Sequence, residues 1–200
     1  MTEITPEQKE KLLRKTGFIK GLLLGGILLV ISIASYYFVV YSNGPWWEPL
    51  VGSFCFTILL PIVIATVFVL SLRKAFGGYW KFKEAVTGIF FMFLAAYIIQ
   101  TLGRDLLFAR VIEPDMVPKT EAAMIRSTTV AMQHQNYTQA QIDTKLADTK
   151  KEFNDSKNQT VGSVIQGIVF SVIFLFVFAL IFAAIFKREA PYVIERVEGD

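Results

Sequence analysis

The sequence predicts an all-α protein: an integral membrane four-helix bundle with an extracytoplasmic helical hairpin between the third and fourth spans. Three observations predict it. Hydrophobic residues fill 54% of the 200 positions, with eighteen phenylalanines, and the mean hydropathy is +0.48, more apolar than a soluble core of this size requires. Four apolar stretches each approach the about 20 residues that an α-helix needs to cross a hydrocarbon layer about 30 Å thick. Lysine and arginine crowd the connections on one side of those stretches, as orientation in a membrane demands.

Residues 1–16 read as a basic amphipathic segment on the cytoplasmic side. Thr5 with Gln8 has capping-box spacing and Pro6 suits a first helical position, so a short surface helix is expected to lead into the first span. A topology anchor is the plain reading of that helix, and docking or lipid sensing is its functional alternative. The first span covers 17–41, and its one charge, Lys20, lies near the start, where its stem reaches the headgroups. A cleaved signal peptide is the rival, but the apolar run is too long.

The second span covers 50–72. Pro61 is its expected kink, because proline frees a carbonyl one turn back. Cys55 is the only cysteine, so an intrachain disulfide or a cysteine metal cluster has no basis. Gly77 and Gly78 read as a turn. The third span, 82–113, has its apolar part from Ala85 to Leu102 and continues as helix past the membrane surface until Pro114 stops it.

Residues 114–160 turn polar, with helices predicted from Thr120 to Gln135 and from Gln139 to Phe153. Met124, Thr128 and Met132 stripe the first, and Ile142, Leu146 and Phe153 the second. The stripes are too narrow for an independent core, so the hairpin is expected to lie on its own bundle or on a partner. The fourth span, 161–186, carries no charge, and 187–200 form a cytoplasmic tail.

Orientation follows from the charges. Lys9, Lys11, Arg14, Lys15 and Lys20 precede or open the first span; Arg73, Lys74, Lys81 and Lys83 lie between the second and third; Lys187, Arg188 and Arg196 follow the fourth. The connection SNGPWWEP has none, and the long third connection balances eight basic against eight acidic residues. Both termini are therefore expected in the cytoplasm, with Trp46 and Trp47 at the outer boundary and Tyr79 and Trp80 at the inner one.

Transporters and proton relays keep ionisable residues inside their spans, and here none lies at mid-depth. Lys83 and Glu84 open the third span and Arg104 and Asp105 close it, which marks them as interfacial charges. Gln100, Thr101 and Gln166 are candidate interhelical hydrogen-bond donors. Small residues recur at four-residue spacing, as Gly17, Gly21 and Gly25 on the first span and Ser163, Gly167 and Ser171 on the fourth, followed there by Ala179 and Ala183. Such stripes let helices approach closely, within one chain or at a dimer or partner seam.

No HExxH, G-x-S-x-G, P-loop or GxGxxG motif occurs, and His134, the only histidine, has no nucleophile beside it. An enzyme is therefore not expected, and no catalytic, cofactor-binding or metal-ligating residue is nominated. The net charge of +3 is dispersed, giving no nucleic-acid surface. Asn136, Asn154 and Asn158 each begin a glycosylation sequon on the predicted outer side.

The segments FGGYWKFKEAVTGIFFMFLAAYII and FALIFAAIFKREAP, with the glycine-rich first span and a polar excursion from VIEPD, resemble the bacterial membrane family known as domain of unknown function 4199. The resemblance covers most of the chain. It implies a four-helix protein of the bacterial inner membrane with no assigned activity, and, because members are often encoded near a polyprenyl-linked glycosyltransferase, such an enzyme as a possible partner. Taken together, the expected role is a non-enzymatic scaffold or accessory subunit embedded in the lipid bilayer and bound to another inner-membrane protein or to itself. The alternative is a small dimeric carrier or binder of a lipid or other apolar molecule.

Overall fold

The computed structural model describes residues 5–42, 44–45, 47–157 and 160–189. Trp46, Asn158 and the tail beyond 189, with Arg196, lie outside the described residues. Among the described residues every regular element is helical, apart from one bridge pairing Trp80 with Arg188. The helices are α1 (Pro6–Tyr41), α2 (Glu48–Ala75), α3 (Phe82–Ile112), α4 (Met116–His134), α5 (Gln139–Lys157) and α6 (Val161–Phe186). Helices α1, α2, α3 and α6 are long and apolar enough to cross a membrane, so the chain is a multi-pass membrane protein.

The expected short surface helix and the first span are one helix of 36 residues. Its start is fixed as the capping box requires: the Gln8 amide donates to Thr5 Oγ1 at 3.3 Å, and the Thr5 amide donates to Gln8 Oε1 at 3.0 Å. The basic stretch stays helical because Leu13 is buried within it, beside Gly88 and Trp80 of the α3 region. In α2 the ladder widens over Cys55–Leu59 to π geometry, with the Leu60 amide donating to the Cys55 carbonyl. That wide turn ends two residues before Pro61, whose missing N–H interrupts the ordinary ladder. Gly77 and Gly78 adopt φ of 83° and 82°, the left-handed conformation open to glycine, and reverse the chain into α3. The C-terminal part of α3, Thr101–Ile112, is also π-helical, and the Glu113 amide closes it on the Phe108 carbonyl at 2.8 Å.

Helices α1 and α3 form the most extensively packed pair; α6 lies on α3, and α2 runs along α1. The main core gathers Leu13, Leu24, Val69, Leu72, Trp80, Ile89, Met92 and Ala183, all near the end that holds the start of α1 and the finish of α6. Towards the opposite end the core shrinks to Tyr36, Phe108 and Met116. There α4 sits on the end of α1 and packs against α5. Their buried positions are Met116 and Ala123 in α4 and Ile142 and Thr149 in α5. Met124, expected on the packed stripe, is 42% exposed, because the face that meets the neighbours is centred one residue earlier, on Ala123.

Candidate functional site

The basic end is closed by a clasp built from three helices and the chain just after α6. Lys9 pairs with Glu84 at 2.7 Å, and the Glu84 carboxylate also accepts from the Lys81 amide at 3.0 Å, so this interfacial charge is engaged on two sides. Lys83, beside it, is exposed. Lys20 does not lie along α1 towards the headgroups; it donates to Ser71 Oγ on α2 at 2.6 Å. Arg73 and the Trp80 indole both donate to the Phe186 carbonyl, at 3.4 Å and 3.0 Å. Trp80, read from sequence as a boundary aromatic, is 2% exposed. Its indole N–H satisfies a carbonyl at the end of α6, where no helical partner exists, which is why the ring turns inward. Tyr79 keeps the boundary role at 39% exposure, under Arg188 at 5.4 Å.

The small residues divide into two groups. On α1 a Cβ at Gly17 would lie 2.4 Å from the Gly88 carbonyl oxygen, one at Gly21 2.2 Å from that of Met92, and one at Gly25 2.9 Å from Ala96 Cα. These glycines bring the backbones of α1 and α3 into contact. On α6, Ala179 and Ala183 are fully buried. Ser163 and Gly167 instead face open space, Ser171 is half-buried with its hydroxyl on the Gly167 carbonyl at 2.9 Å, and every residue from Val161 to Phe170 is exposed. Gln166 stands on this unpartnered stretch, and neither it nor Gln100 nor Thr101 makes a side-chain hydrogen bond among the described residues.

At the end away from the clasp, α4 is tied to α1 by Arg126, which donates to the Val40 and Ser42 carbonyls at 3.2 Å and 2.9 Å. These are carbonyls at the α1 terminus that the helix itself leaves unpaired. Lys119 meets Glu113 at 2.5 Å, and this hydrogen bond holds the ammonium above the ordinary lysine range. His134 ends α4, and Asn136, in the following turn at φ 59°, and Asn154 are exposed.

Below α4 a cleft of about 320 Å³ opens between α1 and α2. Its deeper wall is apolar, from Leu28, Ile31, Phe56 and Pro61; Ser32, Ser35 and Tyr36 of α1, Ser53 and Thr57 of α2, Arg104 of α3 and Thr120 of α4 supply its polar lining. Of this set the sequence singles out Pro61, as a kink, and Arg104, as an interfacial charge closing the third span beside Asp105. Arg104 and Asp105 are both exposed, no ion pair joins them, and only Arg104 lines the cleft. The signal that was present is the spacing of Ser32, Ser35 and Tyr36 on one face of α1, and of Ser53 and Thr57 four apart on α2. Tyr36 is 8% exposed and held edge-on to Phe108 with ring centroids 5.4 Å apart, and its hydroxyl has no hydrogen-bond partner among the described residues.

No curated protein and no solved structure matches the chain. The family described as "Protein of unknown function (DUF4199)" matches residues 20–188, from Lys20 at the clasp to Arg188 at its other side, and the chain belongs to that family.

Proposed function

We propose that the protein is a non-enzymatic accessory subunit of an assembly in the bacterial inner membrane, with both termini cytoplasmic and α4–α5 forming an extracytoplasmic hairpin. The observation that supports it is the division of α6. Its inner half is held by α3 through Ala179, Phe182 and Ala183, while its outer ten residues carry Ser163, Gln166 and Gly167 on a helix that nothing among the described residues covers. A small-residue face with a polar amide suits close helix association better than contact with acyl chains. The partner is another inner-membrane protein or a second copy, and a polyprenyl-linked glycosyltransferase is the first candidate. The charge distribution supports the orientation, and alkaline phosphatase fused after Gly44 and after Asn136 should be active at both places.

The test of the subunit role is a photo-crosslinking residue at Gly167, in protein expressed at native level in its own host, with Ile185 as the control. Ile185 is 66% exposed on the half of α6 that the bundle already holds. A stoichiometric protein adduct at Gly167 and none at Ile185 is expected; lipid adducts at both would refute the subunit role. The second reading, a carrier or binder of an amphiphile, is favoured by the cleft between α1 and α2.

A further inference from the structure

We infer that this cleft is a binding site for the phosphate-bearing head of a membrane amphiphile, with Arg104 and the Tyr36 hydroxyl as its polar contacts and the apolar wall below receiving the upper chain. The inference goes beyond the subunit role and does not depend on it.

Depth is the first argument. Arg104 follows Glu84 by twenty residues, about 30 Å of helix, which is one hydrocarbon thickness from the charged boundary at the clasp. The guanidinium therefore sits at the level where lipid phosphates lie. It makes no ion pair or hydrogen bond among the described residues. A bare guanidinium at that depth favours an anion, and its planar fork matches phosphate oxygens two at a time.

The hydroxyls supply the second, independent argument. Serine and threonine in helices ordinarily bond back to a carbonyl one turn earlier, as Thr66 does to Ile62 at 2.9 Å and Thr87 to Lys83 at 3.0 Å. Among the described residues Ser32, Ser35, Ser53 and Thr57 do not; Thr101 is also without such a bond, but these four share the lining of one cleft. Tyr36 goes further, because its oxygen is both buried and without a hydrogen-bond partner among the described residues, which is costly for a phenol. The residues that carry these groups all line one cavity, with the tyrosine oxygen itself covered. A single arginine exposed at a membrane surface would be plain snorkelling. An unpartnered buried tyrosine converging with it on a cavity is not explained that way.

The test is native mass spectrometry and thermal unfolding of the full chain in a neutral mild detergent, titrated separately with dioleoylphosphatidic acid, dioleoylglycerol and inorganic phosphate. Phosphatidic acid is expected to bind saturably with one site per chain and to raise the unfolding temperature; dioleoylglycerol and inorganic phosphate should do neither at equal concentration. Arg104→Gln should weaken phosphatidic acid binding about tenfold or more and Tyr36→Phe about threefold to tenfold, with the folded state intact because Arg104 is exposed and phenylalanine keeps the ring. Equal binding of phosphatidic acid and dioleoylglycerol would overturn the head-group assignment. Saturation by inorganic phosphate alone would overturn the amphiphile assignment, and unaltered affinity in both variants would overturn the site.

Discussion

The sharpest quantitative consequence of the α1–α3 contact concerns one methyl group. Replacing Gly21 by alanine puts a Cβ 2.2 Å from the Met92 carbonyl oxygen and 2.7 Å from Ala95 Cβ. The first of these is backbone in the middle of a helix, so no side chain can swing away, and the helices must separate. A gap of about 0.5–1 Å already forfeits a quarter to a half of the dispersion attraction between facing atoms. The expected loss for Gly21→Ala is about 2 kcal/mol, in the middle of the range for overpacked cores, or roughly a thirtyfold shift of the folding equilibrium. Gly26, on the same helix, is the control, because a Cβ there meets nothing within 4 Å. Gly26→Ala should be neutral or stabilise by up to about 1 kcal/mol through helix propensity. Reversible unfolding by sodium dodecyl sulfate in mixed micelles, followed by the fluorescence of buried Trp80, measures both. If the two alanine variants unfold at the same denaturant fraction, α1 and α3 do not meet along this glycine face and the packing argument fails.

Other consequences can be read with similar means. Trp80→Phe removes the indole donor to Phe186 and part of a buried ring, and should cost about 1–3 kcal/mol; a change in unfolding midpoint no larger than that of Tyr79→Phe would show that the clasp does not rest on Trp80. Arg126→Ala should loosen α4 locally without unfolding the spans, because its two bonds run to the exposed end of α1. Hydrogen exchange should then rise in 116–134 and stay constant in 82–100, and a uniform rise would contradict a local role. In a Cys55→Ser background, spin labels at Leu102 and Gly167 should give a broad distance distribution, since the outer half of α6 is unheld. Labels at Phe82 and Ile185, beside the clasp, should give a narrow one; equal widths would mean that α6 is fixed along its whole length.

Spans are legible in a sequence because the bilayer imposes one length and one polarity on any helix that crosses it. The Thr5 cap and the Gly77–Gly78 turn are legible for a similar reason, since each is decided by atoms within a few residues. What the sequence does not carry is what meets each face. Gly21 and Gly167 have the same small-residue spacing around them, yet one lies against the Met92 backbone and the other faces open space. A stripe states how close a neighbour is allowed to come, and the neighbour is chosen by the other helices. Trp80 was misplaced for the same reason: a boundary aromatic and a core aromatic look alike until the Phe186 carbonyl, 106 positions away, is brought within 3.0 Å.

The cleft is the strongest case of this limit. Each hydroxyl in it is unremarkable alone, because serine and threonine in an apolar helix normally satisfy themselves on their own backbone. Their significance appears only when α1 and α2 are placed side by side, with Phe56 of the π turn and Pro61 in the apolar wall, and when Arg104 is brought in from a third helix. The same placement explains why the core thins there. A cluster of Tyr36, Phe108 and Met116 replaces the broad apolar contact seen at the clasp, and protein interiors rarely leave a buried tyrosine oxygen unsatisfied. Thin packing and unpaired polar atoms coincide at one place, and that coincidence separates a ligand site from a bundle that is merely loose.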